Sequence, residues 1–500
     1  MRPPVRSSRK FCGFFLCLLY ATLAFAVTSF LNGILRPSYV SPPKYHRQLA
    51  SQIQESLKSS RGNKHGKNVF IAANIVNEDL IRGSRGENLL QLVGIVGPEN
   101  VFVSIYENDA GDRTRDALMD LRDKLPCNTS IVASDHMNLN SFPTVTIPAT
   151  GEARTKRLLY LAEVRNRAIL PLQSGPSITT WAASHPIFNS AASTRFDRVL
   201  FLNDIFKPVD AVQLLFSTNE GKYDAAFAID FVAGITLYDT FVIQDTEGFT
   251  SRNDVLSQTD AVRVRSCWSG MAAFDTTVFQ PIPPPTISPA SQTSGQYKQD
   301  PVSGDTKISS LSLPGLTFHS ITEPFFEESE CCLLSADLEI RRAAIYNTLF
   351  PSSSPQSDAR PLSTGVFIKP YIRVAYSSAT WAWLPTTRRY ERAFQFLQYL
   401  ISKILMPEYN YRRTHAAGTM VGECIWVPAS LGAEERRGLL RRWRGSNWMR
   451  GTLEVQRRVA DVGGWCRRKR MFVMKGDLSE ANQDGWGKNW EEVEPPGRKG

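Results

Sequence analysis

None of the six cysteines outside the N-terminal apolar segment (Cys127, Cys267, Cys331, Cys332, Cys424 and Cys466) is spaced as a CxxC pair. That absence argues against a zinc site. Acidic residues are in short supply: 58 Lys and Arg face 48 Asp and Glu, for a net charge of +10. An excess of base suits anionic partners such as sugar nucleotides, membrane surface or nucleic acid. Much of the excess sits at the N-terminus and in residues 434–470, the latter read as a helical cover over a sheet, so no nucleic-acid partner is expected. A third absence is a small-x-small cleavage site after the N-terminal apolar run.

That run extends from Phe11 to about Leu35 and follows Arg2, Arg6, Arg9 and Lys10. It is long enough to cross a bilayer core of about 30 Å, and basic residues before it stay cytoplasmic. The expected order is a cytoplasmic tail (1–10), a transmembrane signal anchor (11–35), a stem (36–67), a lumenal domain (68–470) and a C-terminal tail (471–500). A cleaved signal peptide is the alternative for the anchor. Asn128-Thr129-Ser130 is a glycosylation sequon, which suits a lumenal domain. Up to three disulfides fit an oxidising compartment. Residues 281–316 and 351–363 are rich in Pro, Ser, Thr and Gly and read as disordered or surface insertions.

The stretch that organises the rest is Val199-Leu200-Phe201-Leu202-Asn203-Asp204. A continuous apolar run of this length reads as a strand buried on both faces. It ends in a carboxylate at the edge where open α/β sheets bind ligands. A hard divalent cation takes one or two carboxylates plus substrate phosphates, which makes Asp204, with Asn203 beside it, the candidate metal and diphosphate anchor. The alternative is a turn capped by Asp204. Residues 68–75 and 101–106 read as two further strands, the second ending in Glu107-Asn108-Asp109. Helices over 89–96, 114–125 and 154–170 fall between strands, an alternation that argues for a mostly parallel α/β sheet. Arg165 and Asn166 belong to the third helix. Its arginines are either a solvated face or diphosphate ligands. Tyr223 to Asp230 is another strand ending in an acid. Glu330 and Asp337 flank an apolar segment and are candidates for acid/base groups or for helix caps.

Taken in order, several pieces resemble one family, the fungal cryptococcal mannosyltransferases (α-1,3-mannosyltransferase and capsule-associated proteins). They are Val103-Ser104-Ile105-Tyr106-Glu107, Leu159-Tyr160-Leu161-Ala162-Glu163-Val164-Arg165-Asn166 and Phe201-Leu202-Asn203-Asp204. With them go Tyr238-Asp239-Thr240-Phe241, Ser266-Cys267-Trp268-Ser269-Gly270-Met271 and Ser329-Glu330-Cys331-Cys332-Leu333. Arg373-Val374-Ala375-Tyr376 and Gly463-Gly464-Trp465-Cys466 complete the set. The resemblance implies a single-pass type II Golgi membrane protein of the type A, Rossmann-like glycosyltransferase fold. It implies GDP-mannose as donor, a saccharide acceptor, a retained α-linkage and Mn2+ (or Mg2+) as cofactor. Under it, Asp204 holds the metal, with Glu330 and Asp337 as further catalytic candidates. Glu107, Asp109, Arg165, Asn166 and Asn203 contact the donor. Two rival readings are a non-catalytic membrane-bound factor for polysaccharide assembly or export, and a lumenal lectin-like module.

The topology has a direct check. Protease added to sealed microsomes is expected to spare the domain beyond residue 68 until detergent is added; its digestion without detergent overturns the lumenal assignment.

Overall fold

The computed structural model describes residues 8–55, 58–74, 78–108, 111–133, 137–147, 150–172, 195–233, 236–237, 244–245, 250–281, 314–321, 323–325, 327–349, 365–400, 419–428, 451–459, 467–468, 470–475 and 489–494. The strands in chain order are β1 (Val69–Ala73), β2 (Val101–Tyr106), β3 (Asn128–Val132), β4 (Thr144–Thr146), β5 (Ala153–Thr155), β6 (Arg198–Leu202), β7 (Ala225–Ala233), β8 (Thr236–Leu237) and β9 (Gln244–Asp245). They continue with β10 (Val262–Ser266), β11 (Met271–Asp275), β12 (Glu327–Glu328), β13 (Val366–Ala375), β14 (Met420–Pro428), β15 (Gly451–Val459), β16 (Arg467–Arg468), β17 (Met471–Met474) and β18 (Trp490–Val493). The helices used below are α1 (Ser8–Leu35), α2 (Lys44–Glu55), α3 (Glu78–Arg82), α4 (Ser84–Val96), α5 (Asp112–Lys124), α6 (Arg157–Ile169), α7 (Pro208–Ser217), α8 (Thr250–Leu256), α9 (Glu330–Leu349) and α10 (Ser378–Leu400).

A ten-stranded sheet runs β3-β2-β1-β6-β11-β7-β13-β10-β9, with β8 paired to β7. The pairings β3–β2, β2–β1, β1–β6 and β7–β13 are parallel. Strand β11 is inserted antiparallel between β6 and β7, so β6 and β7 still point the same way. Strand β10 is antiparallel to both its neighbours, and β8 is antiparallel to β7. The strands of one common direction are therefore β1, β2, β3, β6, β7, β9 and β13. The expected α/β architecture with a mostly parallel sheet and flanking helices holds.

The two faces of the sheet are chemically distinct, and strand periodicity of two produces the difference. Along β1, Phe70 and Ala72 join a largely aromatic layer that also contains Phe102, Phe201, Phe227, Trp268 and Phe274. Val69, Ile71 and Ala73 join an aliphatic layer with Val103, Leu200, Leu202 and Ala226. Helices α6 and α9 cover the aromatic face through Tyr160, Val164, Cys332 and Leu334. Helices α4, α5 and α7 cover the other through Leu92, Leu118 and Leu215. Both faces are buried, which is why the strands read as unbroken apolar runs. Helix α4 stops at Gly97, whose φ of +104° suits glycine, and its N–H donates to Val93 O at 2.8 Å.

Three expectations change. The stem is docked on the domain: Ile53 of α2 is buried in the aliphatic layer, and the Asn63 side chain donates to Val96 O at 3.1 Å. Residues 451–459, expected within a helical cover, are instead β15 paired with β14; their Val455, Arg457 and Val459 alternate along an extended edge, a period of two. The C-terminal tail supplies strands β17 and β18, a pair seated beside α6. The insertions at 281–316 and 351–363 fall largely outside the described residues, as do Tyr238 to Phe241 and Gly463 to Cys466. The end of the first insertion is ordered against the core, with Phe318 buried and Leu316 N donating to Val278 O at 3.0 Å. Among the described residues one helix, α1, is long and apolar enough to cross a membrane, over Leu16–Leu35.

Cys17, Cys127, Cys267 and Cys331 are not in disulfides, whereas Cys332 is disulfide-bonded. Thiol labelling of the denatured, non-reduced protein is expected to modify Cys127, Cys267 and Cys331 and to spare Cys332. Labelling of Cys332 without reductant would remove the disulfide.

Candidate functional site

A cavity of about 490 Å³ opens at the carboxyl ends of β1, β2, β6 and β7. That is the size of a site that holds one small organic ligand. Its floor follows from strand direction: β1 delivers Asn74, β2 delivers Asn108, β6 delivers Asn203 and Asp204, and β7 delivers Asp230. Asn74 Nδ2 donates to Tyr106 O at 3.2 Å and Val164 O at 2.9 Å, tying β1, β2 and α6 together. Asn203 Oδ1 accepts from Asn74 N at 3.1 Å, which locks the end of β6 to the end of β1.

Asp204 is the centre of this floor. It is 3% exposed, not partly solvated as a carboxylate at a sheet edge is expected to be. The loop before β11 covers it. Gly270 O accepts from Asn203 N at 2.7 Å and from Asp204 N at 3.3 Å, and Gly270 N donates to Asp230 Oδ2 at 3.1 Å. A Cβ at residue 270 would land on the Asp204 carboxyl group, so the backbone approach requires glycine. Asp204 and Asp230 are both tied to Gly270 and are close enough to shift each other's titration. Burial raises the Asp204 pKa, and the Asp230 contact and the Arg85 charge pull it partly back. Arg85, at the start of α4, is itself fully buried; burial brings its pKa down to about 10, opposed by Asp204. Its guanidinium donates to Leu202 O.

Two buried carboxyls and a neighbouring amide form an all-oxygen donor set. Among the described residues no group of three His, Cys, Asp or Glu side chains is arranged around a common point. The set fits a divalent cation that draws its remaining ligands from substrate phosphates and water.

The other residues singled out by the sequence disperse. Arg165 and Glu330 line the cavity, but as partners: Arg165 Nε donates to Glu330 Oε1 at 3.1 Å, and the guanidinium lies 4.5 Å from the centre of the Trp268 ring. Glu107 is buried behind the rim, where its N–H donates to Val132 O; the neighbouring Asn108 reaches the cavity in its place. Asn166 does not line the cavity. It bonds the Phe318 backbone in both directions at 2.8 Å and so fastens the end of the insertion to α6. Asp337 does not line it either. It lies two turns along α9 from Glu330 and pairs with His319 at 2.8 Å, raising the His319 pKa. Asp109 lies outside the described residues.

The reading from sequence overlooked Arg85, Asp230 as a partner of Asp204, Gly270 as the residue that joins them, and Glu327, Trp490 and Glu492, which also line the cavity. Asp230 carried a signal, since its strand also ends in an acid. Gly270 carried one too, inside Ser266-Cys267-Trp268-Ser269-Gly270-Met271. Trp490 and Glu492 carried none, because β18 comes from a segment that reads as tail. Tyr376 is brought in by a bridge in which Ile205 N donates to Ala375 O at 3.0 Å.

The molecule is thus an α/β protein with a buried acidic pair at the carboxyl edge of its sheet. A family model described as Cryptococcal mannosyltransferase 1 matches residues 68–337, more than half of the 500-residue chain, and the chain belongs to that family. The match includes Asp204, Asp230, Gly270 and Glu327 and stops before β17 and β18. A search of curated proteins finds no match. A solved structure described as "Crystal Structure of a Mycobacterial Protein" aligns at 12% identity and a TM-score of 0.30, over 86% of this chain and 91% of that one. Similarity of that degree carries no argument here.

Gly270→Ala is expected to lower stability by about 1–3 kcal/mol, the usual range for forcing atoms into a packed interior. Urea unfolding checks it; a variant as stable as the parent would mean that the Gly270 contact with Asp204 is not tight.

Proposed function

We propose that this protein transfers a mannosyl residue from GDP-mannose to a saccharide hydroxyl, retaining an α-linkage of the 1,3 type. We place the reaction in the Golgi lumen, with α1 as the membrane anchor. Membership of a family named for mannosyltransferase activity supports the class of reaction. The observation that carries the site is the Asp204–Asp230 pair joined through Gly270 at the floor of the cavity. The sheet order, with one antiparallel strand between β6 and β7, supports the type A nucleotide-sugar fold expected from the resemblance.

In this reading Asp204 and Asp230 hold Mn2+ or Mg2+ in their deprotonated forms. A bound cation there supplies positive charge against the diphosphate leaving group. Asn203, braced by Asn74, orients the carboxylate beside it. Arg85 keeps a positive charge beneath the acids and favours their ionised forms. Arg165, paired with Glu330 and set over the Trp268 ring, forms a wall of the site. Burial of the acidic pair excludes water from the departing diphosphate and strengthens electrostatic stabilisation.

Asp204→Asn keeps the shape of the side chain and removes its charge. It is expected to reduce Mn2+-dependent release of GDP from GDP-mannose by about 10²-fold or more. Asn203→Ala is expected to cost less, since an amide places no formal charge beside the cation. Because burial raises the Asp204 pKa, cation binding displaces a proton and strengthens as pH rises. The Mn2+-induced rise in Tm is therefore expected to be larger at pH 7.5 than at pH 5.5, and to vanish in Asp204→Asn. A folded Asp204→Asn protein with near-normal turnover overturns the metal assignment. A wild-type protein that neither binds nor turns over GDP-mannose favours the non-catalytic assembly factor.

A further inference from the structure

The apolar helix α1 and the domain are joined more tightly than an anchor and a stem require. The span Leu16–Leu35 holds 20 residues, which at about 1.5 Å per residue matches a bilayer core of about 30 Å. Only Arg36 and Pro37 separate its last residue from Ser38 and Tyr39, which are both buried. Tyr39 N donates to Gln258 Oε1 at 2.6 Å, and the Tyr39 ring meets the Tyr371 ring edge-on with centres 5.0 Å apart. The domain face that carries Gln258 and Tyr371 therefore stands at the exit of the span, with no free spacer between them.

Helix α10 sits on the same face. It follows Ser377, whose Oγ accepts from Thr380 N at 3.2 Å, and it turns Thr380, Leu384 and Thr387 inward at helical spacing. Leu384 packs with Phe231 and Ala375, and Arg388 donates to Tyr371 O at 2.7 Å. Tyr390 meets α1. Its ring stacks with Phe30 at 6.3 Å between centres, and a Cβ at Gly33 would lie 2.5 Å from it and 3.2 Å from Arg389 O. Gly33 thus lets the two helices approach, as small residues do between helices in a membrane. On the outward face Trp383 is 60% exposed. A single exposed apolar ring is ordinary on a protein surface, but the anchor gives this one a fixed depth. Gly33 lies two residues before Leu35, so Tyr390 stands about 3 Å inside the hydrocarbon edge. Trp383 is seven residues away along α10, at most about 10 Å at any tilt of the helix. The polar layer extends about 5–8 Å beyond the core, so Trp383 falls within it.

We infer that α10 is a second membrane contact, with the Trp383 indole seated in the headgroup layer of the bilayer that α1 spans. This rests on the reading of α1 as an anchor. An indole suits that layer, since it offers an apolar body to acyl chains and an N–H to polar headgroups. Arg36 at the exit of the span and Arg389 of α10 are both exposed near the same level, where a guanidinium can pair with lipid phosphate. One spanning contact and one interfacial contact fix the orientation of the domain, where a flexible stem would leave it free. Tyr376, which lines the cavity, comes directly before the Ser377 cap of α10. That wall of the cavity is thereby held within roughly 20 Å of the hydrocarbon edge.

The test uses the full chain in vesicles of phosphatidylcholine and phosphatidylserine. The photocrosslinking residue p-benzoylphenylalanine is placed, one site at a time, at Trp383, at Leu23 within the span, or at Asp116 of α5. All three sites are exposed, so the replacement disturbs no packing. After irradiation, mass spectrometry reads what each site has captured. Lipid adducts are expected at positions 23 and 383 and none at position 116. An adduct at position 23 alone overturns the inference and leaves the anchor standing. So does lipid capture at position 116 equal to that at 383, or capture of a second copy of the chain by position 383 in place of lipid. Absence of lipid from position 23 removes the anchor itself, and the docking of α10 with it.

Discussion

The site depends on one close approach, that of the Gly270 backbone to two buried carboxyl groups. Strand β11 runs antiparallel between β6 and β7, so its first turn crosses the ends of both at once. Gly270 then accepts from the Asn203 and Asp204 amides on one side and donates to Asp230 on the other. A side chain at this position would strike Asp204 and push the acids apart. The inserted strand is thus what makes two acids, 26 residues apart in the chain, into a pair.

Burying like charges is expensive, and the protein answers in two ways. Burial raises the Asp204 pKa, which lowers the cost of its charge, and the Arg85 guanidinium beside it offsets part of that shift. The other arginine in the cavity, Arg165, is committed to Glu330 and Trp268, so it shapes the wall as a rigid plate. The same economy appears at Glu327, where Lys156 and the Phe472 N–H satisfy one oxygen.

The architecture also joins distant parts of the chain. The floor comes from the matched family region, whereas Phe472, Trp490 and Glu492 reach the cavity from the C-terminal strands. The stem is similarly recruited, with Ile53 packed into the aliphatic layer. Between them, these additions make one body of segments that composition alone separates.

The sequence by itself determined the strands that are buried on both faces, because an unbroken apolar run such as Val199 to Leu202 has few other uses in a sheet. It also determined that Asp204 stands at a carboxyl edge, since the acid follows that run directly. Tertiary structure alone decided that Asp204 is buried, that Asp230 is its partner and that Gly270 joins them. It decided too that Asn166 fastens a loop, that Asp337 pairs with His319 outside the cavity, and that Glu327 and Trp490 belong to the site. The physical reason is range. Apolar periodicity is written between neighbours in the chain, whereas burial of a charge and the identity of its partner depend on strand order and on loops hundreds of residues away.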